Sequence, residues 1–138
     1  MKTLTEDYVS YEIAVLLKKK GFNGECSGYY EVPTKLYSQK DVSKQLNVIP
    51  RNWNEYNKEC VVCEYVSIST YQMAMKWLRE VHNIHIKISL DSFDGIHPIY
   101  EALYDDVTNI RIDNFIDYGD TYEEACEVAI KYCLLNLI

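Results

Sequence analysis

Apolar and polar positions change period abruptly near the middle of the chain. Over residues 70–82, Tyr71, Ala74, Met75, Leu78 and Val81 fall on one stripe with Trp77 at its edge, the spacing of an amphipathic helix. From residue 84 onward, Ile84, Ile86, Ile88 and Leu90 alternate with His85, Lys87 and Ser89. That two-residue period belongs to a strand with one buried face. Ser69 or Thr70 supplies the helix cap. The junction at Asn83 therefore sets a capped helix directly against a half-buried strand.

Two more helices follow from the same reasoning. Residues 10–20 place Val9, Ile13, Leu16 and Leu17 on one side, and Lys18, Lys19 and Lys20 at the end where cations complement the helix dipole. Gly21 suits the left-handed position after the helix, with Phe22 folding back on Leu17. Near the C-terminal end, Thr121 and Glu124 have capping-box spacing. They open a helix whose stripe is Tyr122, Ala125, Cys126, Ala129, Cys133 and Leu137.

Between these helices the chain reads as strands. Residues 60–68 are β-rich by residue type. Asp94-Gly95 signals a hairpin turn, residues 96–104 a return strand with Pro98 at an edge or, alternatively, a short helix from Pro98 to Tyr104, and residues 109–117 a third strand with a bulge at Asn114-Phe115. The signal is weakest over residues 23–59. Residues 29–32 and 35–37 suggest short extended pieces around Pro33, and residues 38–46 a short helix capped by Ser38 or Asp41 and closed by Pro50. Residues 51–58 read as a polar loop. The pattern predicts an α+β fold of two layers, an antiparallel sheet of about three to five strands with the three main helices on one face. At 138 residues it is expected as one globular domain, 1–138.

Composition adds two constraints. The total charge of −7 is unevenly placed: residues 91–127 hold eleven acids and one base, Arg111, a net −10 that leaves +3 for the rest. An acidic balance gives no general drive toward nucleic acid, whose affinity rests on Lys and Arg. It suits a solvated face or a docking face for a basic partner, with Asp105, Asp106, Asp113 and Asp117 as the candidate contacts. The thirteen tyrosines suit sheet faces and protein interfaces, and make self-association an open expectation. Five cysteines without framework spacing, no secretory core near the start and no long apolar run predict free thiols in a reducing cytoplasm, with no membrane partner.

Little of the chain suggests a reaction. Cys60-Val61-Val62-Cys63 and His82-Asn83-Ile84-His85 supply four zinc-type ligands, Cys60, Cys63, His82 and His85. A Val-rich strand, however, would point Cys60 and Cys63 to opposite faces, and the spacing between the pairs misses the usual finger lengths. The same strand offers no helix N-terminus to activate a redox dithiol. No Gly-x-Ser-x-Gly elbow, phosphate loop or EF-hand register is present, and an acid pair among Asp105, Asp106 and Asp113 would need burial to work as acid and base. No cofactor is expected. Lys35, Lys40, Lys44, Arg51, Trp53, Tyr56 and Lys58 interleave bases and aromatics, a composition that can stack on single strands but also fits ordinary loop packing.

Three blocks carry a resemblance. They are Val9-Ser10-Tyr11-Glu12-Ile13-Ala14 through Lys20-Gly21-Phe22, then Ser69-Thr70-Tyr71 through Trp77-Leu78-Arg79-Glu80-Val81-His82-Asn83-Ile84-His85-Ile86, and Thr121-Tyr122-Glu123-Glu124-Ala125 through Ala129-Ile130 and residues 134–138. In these the chain resembles a family of short uncharacterised proteins encoded by bacteriophages and prophages of gut bacteria. The resemblance implies a small accessory protein in an infected or lysogenic bacterial cytoplasm and carries over no catalytic residues. Residues 23–59 lie outside it. The expected function is thus non-enzymatic, through interaction with a host or phage protein. A zinc-stabilised module and a small enzyme with a carboxylate site are the alternatives.

Overall fold

The computed structural model describes residues 7–34 and 41–138. The expected strand at 35–37, the cap Ser38, and Lys35 and Lys40 of the basic-aromatic set fall outside these residues. The chain divides into two compact units, Tyr8–Ser69 and Thr70–Ile138 with Asp7. The fold is α+β, with three helices and two antiparallel three-stranded sheets in place of the one sheet expected.

In the first unit, helix α1 (Tyr11–Lys19) starts where the Ser10 hydroxyl accepts the Ile13 amide. It ends as the residue pattern predicts. Gly21 takes φ 88, its amide donates to the Lys18 carbonyl, and the Phe22 amide donates to the Leu17 carbonyl at 3.0 Å. This is the paired closure of a Schellman motif. Strand β1 (Cys26–Pro33) lies between β2 (Ser43–Arg51) and β3 (Cys63–Ser67). Helix α1 packs on β3, so it belongs to this sheet and not, as expected, to the sheet built on residues 84–90. Ile13, Leu17, Phe22, Val66 and Ile68 form the buried core.

Residues 38–46 are not helical where described. From Ser43 they run as β2, pairing Lys44 with Tyr30 and Gln45 with Tyr29. One four-residue apolar spacing could not compete with a ladder of backbone hydrogen bonds. Pro50 closes no helix. It sits in the irregular stretch of β2 between the Gly28–Leu46 and Cys26–Arg51 pairs, where no ladder donor is required of it. A Cβ at Gly28 would meet the Leu46 side-chain tip at 2.8 Å and the Gln45 carbonyl oxygen at 3.0 Å, so any larger residue would be tightly fitted at this crossing.

The second unit matches the expected sheet closely. Helix α2 (Tyr71–His82) is capped by Thr70, whose hydroxyl accepts the Met73 amide, and stops at Asn83 with φ 56. The chain then enters β4 (Ile84–Asp91), followed by β5 (Ile99–Asp106), β6 (Arg111–Gly119) and α3 (Tyr122–Asn136). The sheet order is β4-β5-β6. Helix α2 packs on β4, and α3 on all three strands. Ala102, Ala125 and Ala129 are fully buried where α3 meets the sheet, with Ile86, Ile88, Tyr100, Ile116 and Val128 around them. Small residues at this seam bring helix and sheet into close contact.

The connections differ in detail. Asp94-Gly95 is not a two-residue turn but part of a longer loop that delays β5 to Ile99. Asp94 organises that loop, accepting the Ile96 and His97 amides at 2.8 Å each and the Ser92 hydroxyl. Strand β6 begins at Arg111, because residues 107–110 form the turn. Its bulge lies near the predicted place. Ala102 pairs with Asp117 and Leu103 with Phe115, leaving Ile116 as the extra residue, and a second irregularity precedes Asn114. Among the described residues no helix is long and apolar enough to cross a membrane.

Candidate functional sites

Of the acidic candidates, Asp105 and Asp113 are brought together. The Lys87 ammonium lies 3.0 Å from Asp105 and also pairs with Asp113, while the Asp113 amide donates to Asp105 at 2.8 Å. These bonds hold Asp105 below the ordinary carboxylate range, the Asp113 amide first and Lys87 second. They raise Lys87. Asp106 does not join them. It is buried at the base of the hairpin turn, accepting the Asn109 side-chain amide at 2.7 Å and its backbone amide at 3.2 Å. The Asn109 side chain is the main cause of its lowered pKa. Asp117 accepts the Tyr118 amide at 2.7 Å.

The tip that Asp106 supports carries the most unusual residue of the second unit. Ile110 has φ 53, and its side chain is 84% exposed. A β-branched residue in the left-handed region is a steric outlier. Val107, Ile112 and Phe115 are also exposed, so an apolar knuckle rises among the acids. By residue type residues 109–117 suggest a strand, and nothing in that pattern marks Ile110 as a tip. The available signal was Thr108-Asn109, turn residues immediately before Ile110.

In the first unit the dithiol departs from expectation. Cys60 precedes β3, so the two cysteines do not lie on one strand. Asn57 takes φ 51, the Cys60 amide donates to the Asn57 carbonyl at 2.9 Å, and Thr34 ties down the loop through bonds to the Val61 and Val62 carbonyls. The result sets Cys60 Sγ 3.2 Å from Cys63 Sγ. The Cys63 thiol and the Val62 and Cys63 amides stabilise a Cys60 thiolate and lower its pKa. Cys63 is pushed up to about 11, by burial first and then by Cys60, although the Tyr65 hydroxyl donates to it. Both cysteines line a cleft of about 380 Å³ with Lys18, Tyr56, Lys58 and Tyr65. Lys18 is paired with Glu64, and Lys58 with Glu55.

The wall of this cleft is rigidly mounted. Asn54 is buried and uses its whole side chain, accepting the Ser67 amide at 2.8 Å and donating to the Phe22 carbonyl at 2.9 Å. Trp53 donates its indole N–H to the Cys26 carbonyl at 2.8 Å. Tyr56 and Tyr65 stack edge to face at 5.1 Å. Of the basic-aromatic set, Trp53 is buried, whereas Lys44, Arg51, Tyr56 and Lys58 are exposed, with Arg51 lying over Trp53 and Tyr56.

Cys60 and Cys63 belong to the first unit, and His82 and His85 to the second. Among the described residues no three His, Cys, Asp or Glu side chains gather to hold a metal ion. His82 packs its ring on Trp77 at the end of α2. Cys126 and Cys133 are fully buried, and burial pushes them up to about 11 and 12. A second cleft, of about 340 Å³, is lined by Asp120, Glu124 and Glu127. Glu124 there accepts the Asp120 amide at 2.9 Å, and Glu127 hydrogen-bonds Tyr71. Its acids serve the start of α3 and its contact with α2. Comparison with protein-family models, characterised proteins and solved structures finds no match.

Proposed function

We propose that the chain is a non-enzymatic phage or prophage accessory protein of the bacterial cytoplasm. It binds a host protein through the tip of the β5–β6 hairpin. The observation that carries this reading is Ile110. Its backbone conformation is one that glycine adopts freely and a β-branched residue adopts at a cost, and its side chain contributes almost nothing to the core because it is 84% exposed. A strained residue persists where its surroundings hold it, and Asp106 with Asn109 does so here. What the position does is present an apolar side chain to solvent.

The neighbours define the partner. Val107, Ile112 and Phe115 extend the apolar surface, and Asp105, Asp106 and Asp113 are the acids at this end of the sheet. The complementary surface is an apolar pocket rimmed by Lys and Arg, with acid–base attraction speeding encounter and apolar contact holding the complex. The bulges of β6 interrupt its ladder, so side chains make the contact, not added strand pairing.

A photo-crosslinking amino acid at position 110, with position 49 as control, tests the proposal in the host bacterium. The expected product is one host protein joined at 110 only, through a peptide rich in Lys or Arg, and lost when Ile112 is changed to Asp. Equal products from both positions, a peptide without basic residues, or a crosslink to a second copy of this chain would overturn it.

A further inference from the structure

We propose that Cys60 and Cys63 form a two-electron thiol–disulfide site that reduces disulfides of small thiol compounds, with Cys60 attacking and Cys63 resolving. The sulfurs are 3.2 Å apart, about 1 Å beyond bonding distance for a disulfide. Both are partly exposed, whereas Cys26, Cys126 and Cys133 are buried. The roles follow from their surroundings. The Cys63 thiol lies 3.2 Å from Cys60 Sγ, and that thiol first, then the Val62 and Cys63 amides, favour a Cys60 thiolate. Burial first, and then Cys60, keep the proton on Cys63.

The cleft of about 380 Å³ beside the pair is of a size for a small molecule. Its two lysines are already neutralised by Glu64 and Glu55, so it selects by size more than by charge. Tyr56 and Tyr65 give it apolar walls. The loop is anchored by Thr34 on one side and by the Asn54–Ser67 bonds below, so the sulfurs are positioned before any substrate arrives.

The chemistry balances with a disulfide RSSR as oxidant. The Cys60 thiolate attacks one sulfur, the S–S bond of RSSR breaks, and RS⁻ leaves with the electron pair, giving a Cys60–SR mixed disulfide. Cys63 gives its proton to that RS⁻, and its thiolate attacks Cys60 Sγ. The second RS⁻ departs as the Cys60–Cys63 disulfide forms. RSSR is reduced by two electrons and the protein dithiol is oxidised by two.

The test uses the reduced full-length chain and glutathione disulfide. Wild type should release two glutathione equivalents per chain and yield a peptide cross-linked between residues 60 and 63. Cys63→Ser should stop with one glutathione on Cys60, and Cys60→Ser and Cys60→Ala should react at least about tenfold more slowly. The rate of Cys60 alkylation should rise with pH around a midpoint below the ordinary thiol value of 9.0. Circular dichroism checks that each variant is folded. A stable mixed disulfide in wild type, glutathione on another cysteine in Cys63→Ser, or undiminished reaction in both folded Cys60 variants would overturn the assignment. Oxidation by a disulfide-bonded protein such as insulin, with none by glutathione disulfide, would overturn the small-molecule class.

Discussion

Replacing Ile110 with Asn should make the protein more stable. At φ 53 the Cβ of an L-residue crowds the following carbonyl, at roughly 1–2 kcal/mol, and branching at Cβ worsens the clash. Asn tolerates this region, and the chain itself places Asn47, Asn57 and Asn83 at φ 58, 51 and 56. The loss on the other side is small. Ile110 is 84% exposed, so its removal forfeits about a sixth of the ~1.5–3 kcal/mol that full burial brings. The net expectation is about 1 kcal/mol of added stability, or about 3 °C in melting temperature. Ile110→Gly relieves the same clash, but its freer unfolded chain takes back ~0.4–1 kcal/mol, so it should fall between Asn and wild type. Ile110→Val keeps the branch and should melt with wild type. Ile112→Asn is the control: Ile112 is also solvent-facing, within β6, but has no left-handed backbone to relieve, and should be neutral or slightly destabilising. Urea unfolding of the four variants at neutral pH measures the order. An Asn variant no more stable than wild type would mean that Ile110 is held at no cost, and the case for a retained binding side chain would fail. With the cost real, the same variant should gain stability while losing its partner, the trade expected of a functional position.

Other consequences follow from single contacts. Asn54→Ala orphans the buried Ser67 amide and Phe22 carbonyl, which should cost roughly 2–4 kcal/mol by urea unfolding. Gly119→Ala would put a Cβ 2.5 Å from the Ala125 backbone nitrogen. Backbone cannot yield as a side-chain tip does, so a loss of ~1–3 kcal/mol is expected in the same assay. Asp105 and Asp106 have lowered pKa values in the fold. Their stabilisation is therefore full above the unfolded value of 3.8 and lost as pH falls through the lower folded values. Asp106→Asn should flatten the acid side of a melting-temperature profile and leave the neutral region nearly unchanged in shape.

The parts of the fold legible in the sequence are those where local chemistry and tertiary packing agree. Thr70 and Thr121 each accept the amide three residues on, and Gly21 closes α1 by the bonds its residue type suggests. The alternation from Ile84 emerges as a strand with one side toward the helices. Agreement failed where one weak local signal met a long-range ladder. Val42 and Leu46 are four apart, yet both are exposed, and pairing with β1 decided the conformation of β2. The assignment of α1 to its sheet was illegible for a related reason. An amphipathic stripe states that a helix has an apolar face, not which sheet receives it.

The sites were hidden by backbone conformation, not by residue type. Cys60-Val61-Val62-Cys63 is β-rich in composition, and a continuous strand would have separated the sulfurs across two faces. Asn57 reverses the chain at φ 51, and the Thr34 bonds to the Val61 and Val62 carbonyls hold the loop, so the strand begins only at Cys63. The Val62 and Cys63 amides then favour a thiolate at Cys60. Ile110 is concealed in the same way: its identity suggests a strand, and the turn after Asp106 makes it a tip. In both places a side chain suited to the interior is carried to the surface by a left-handed residue, Asn57 upstream of the dithiol and Ile110 itself on the hairpin. Asn57→Pro, which cannot take a positive φ, should therefore part the sulfurs and abolish the 60–63 cross-link while the 110 crosslink persists. Loss of both would mean that the substitution unfolds more than the loop.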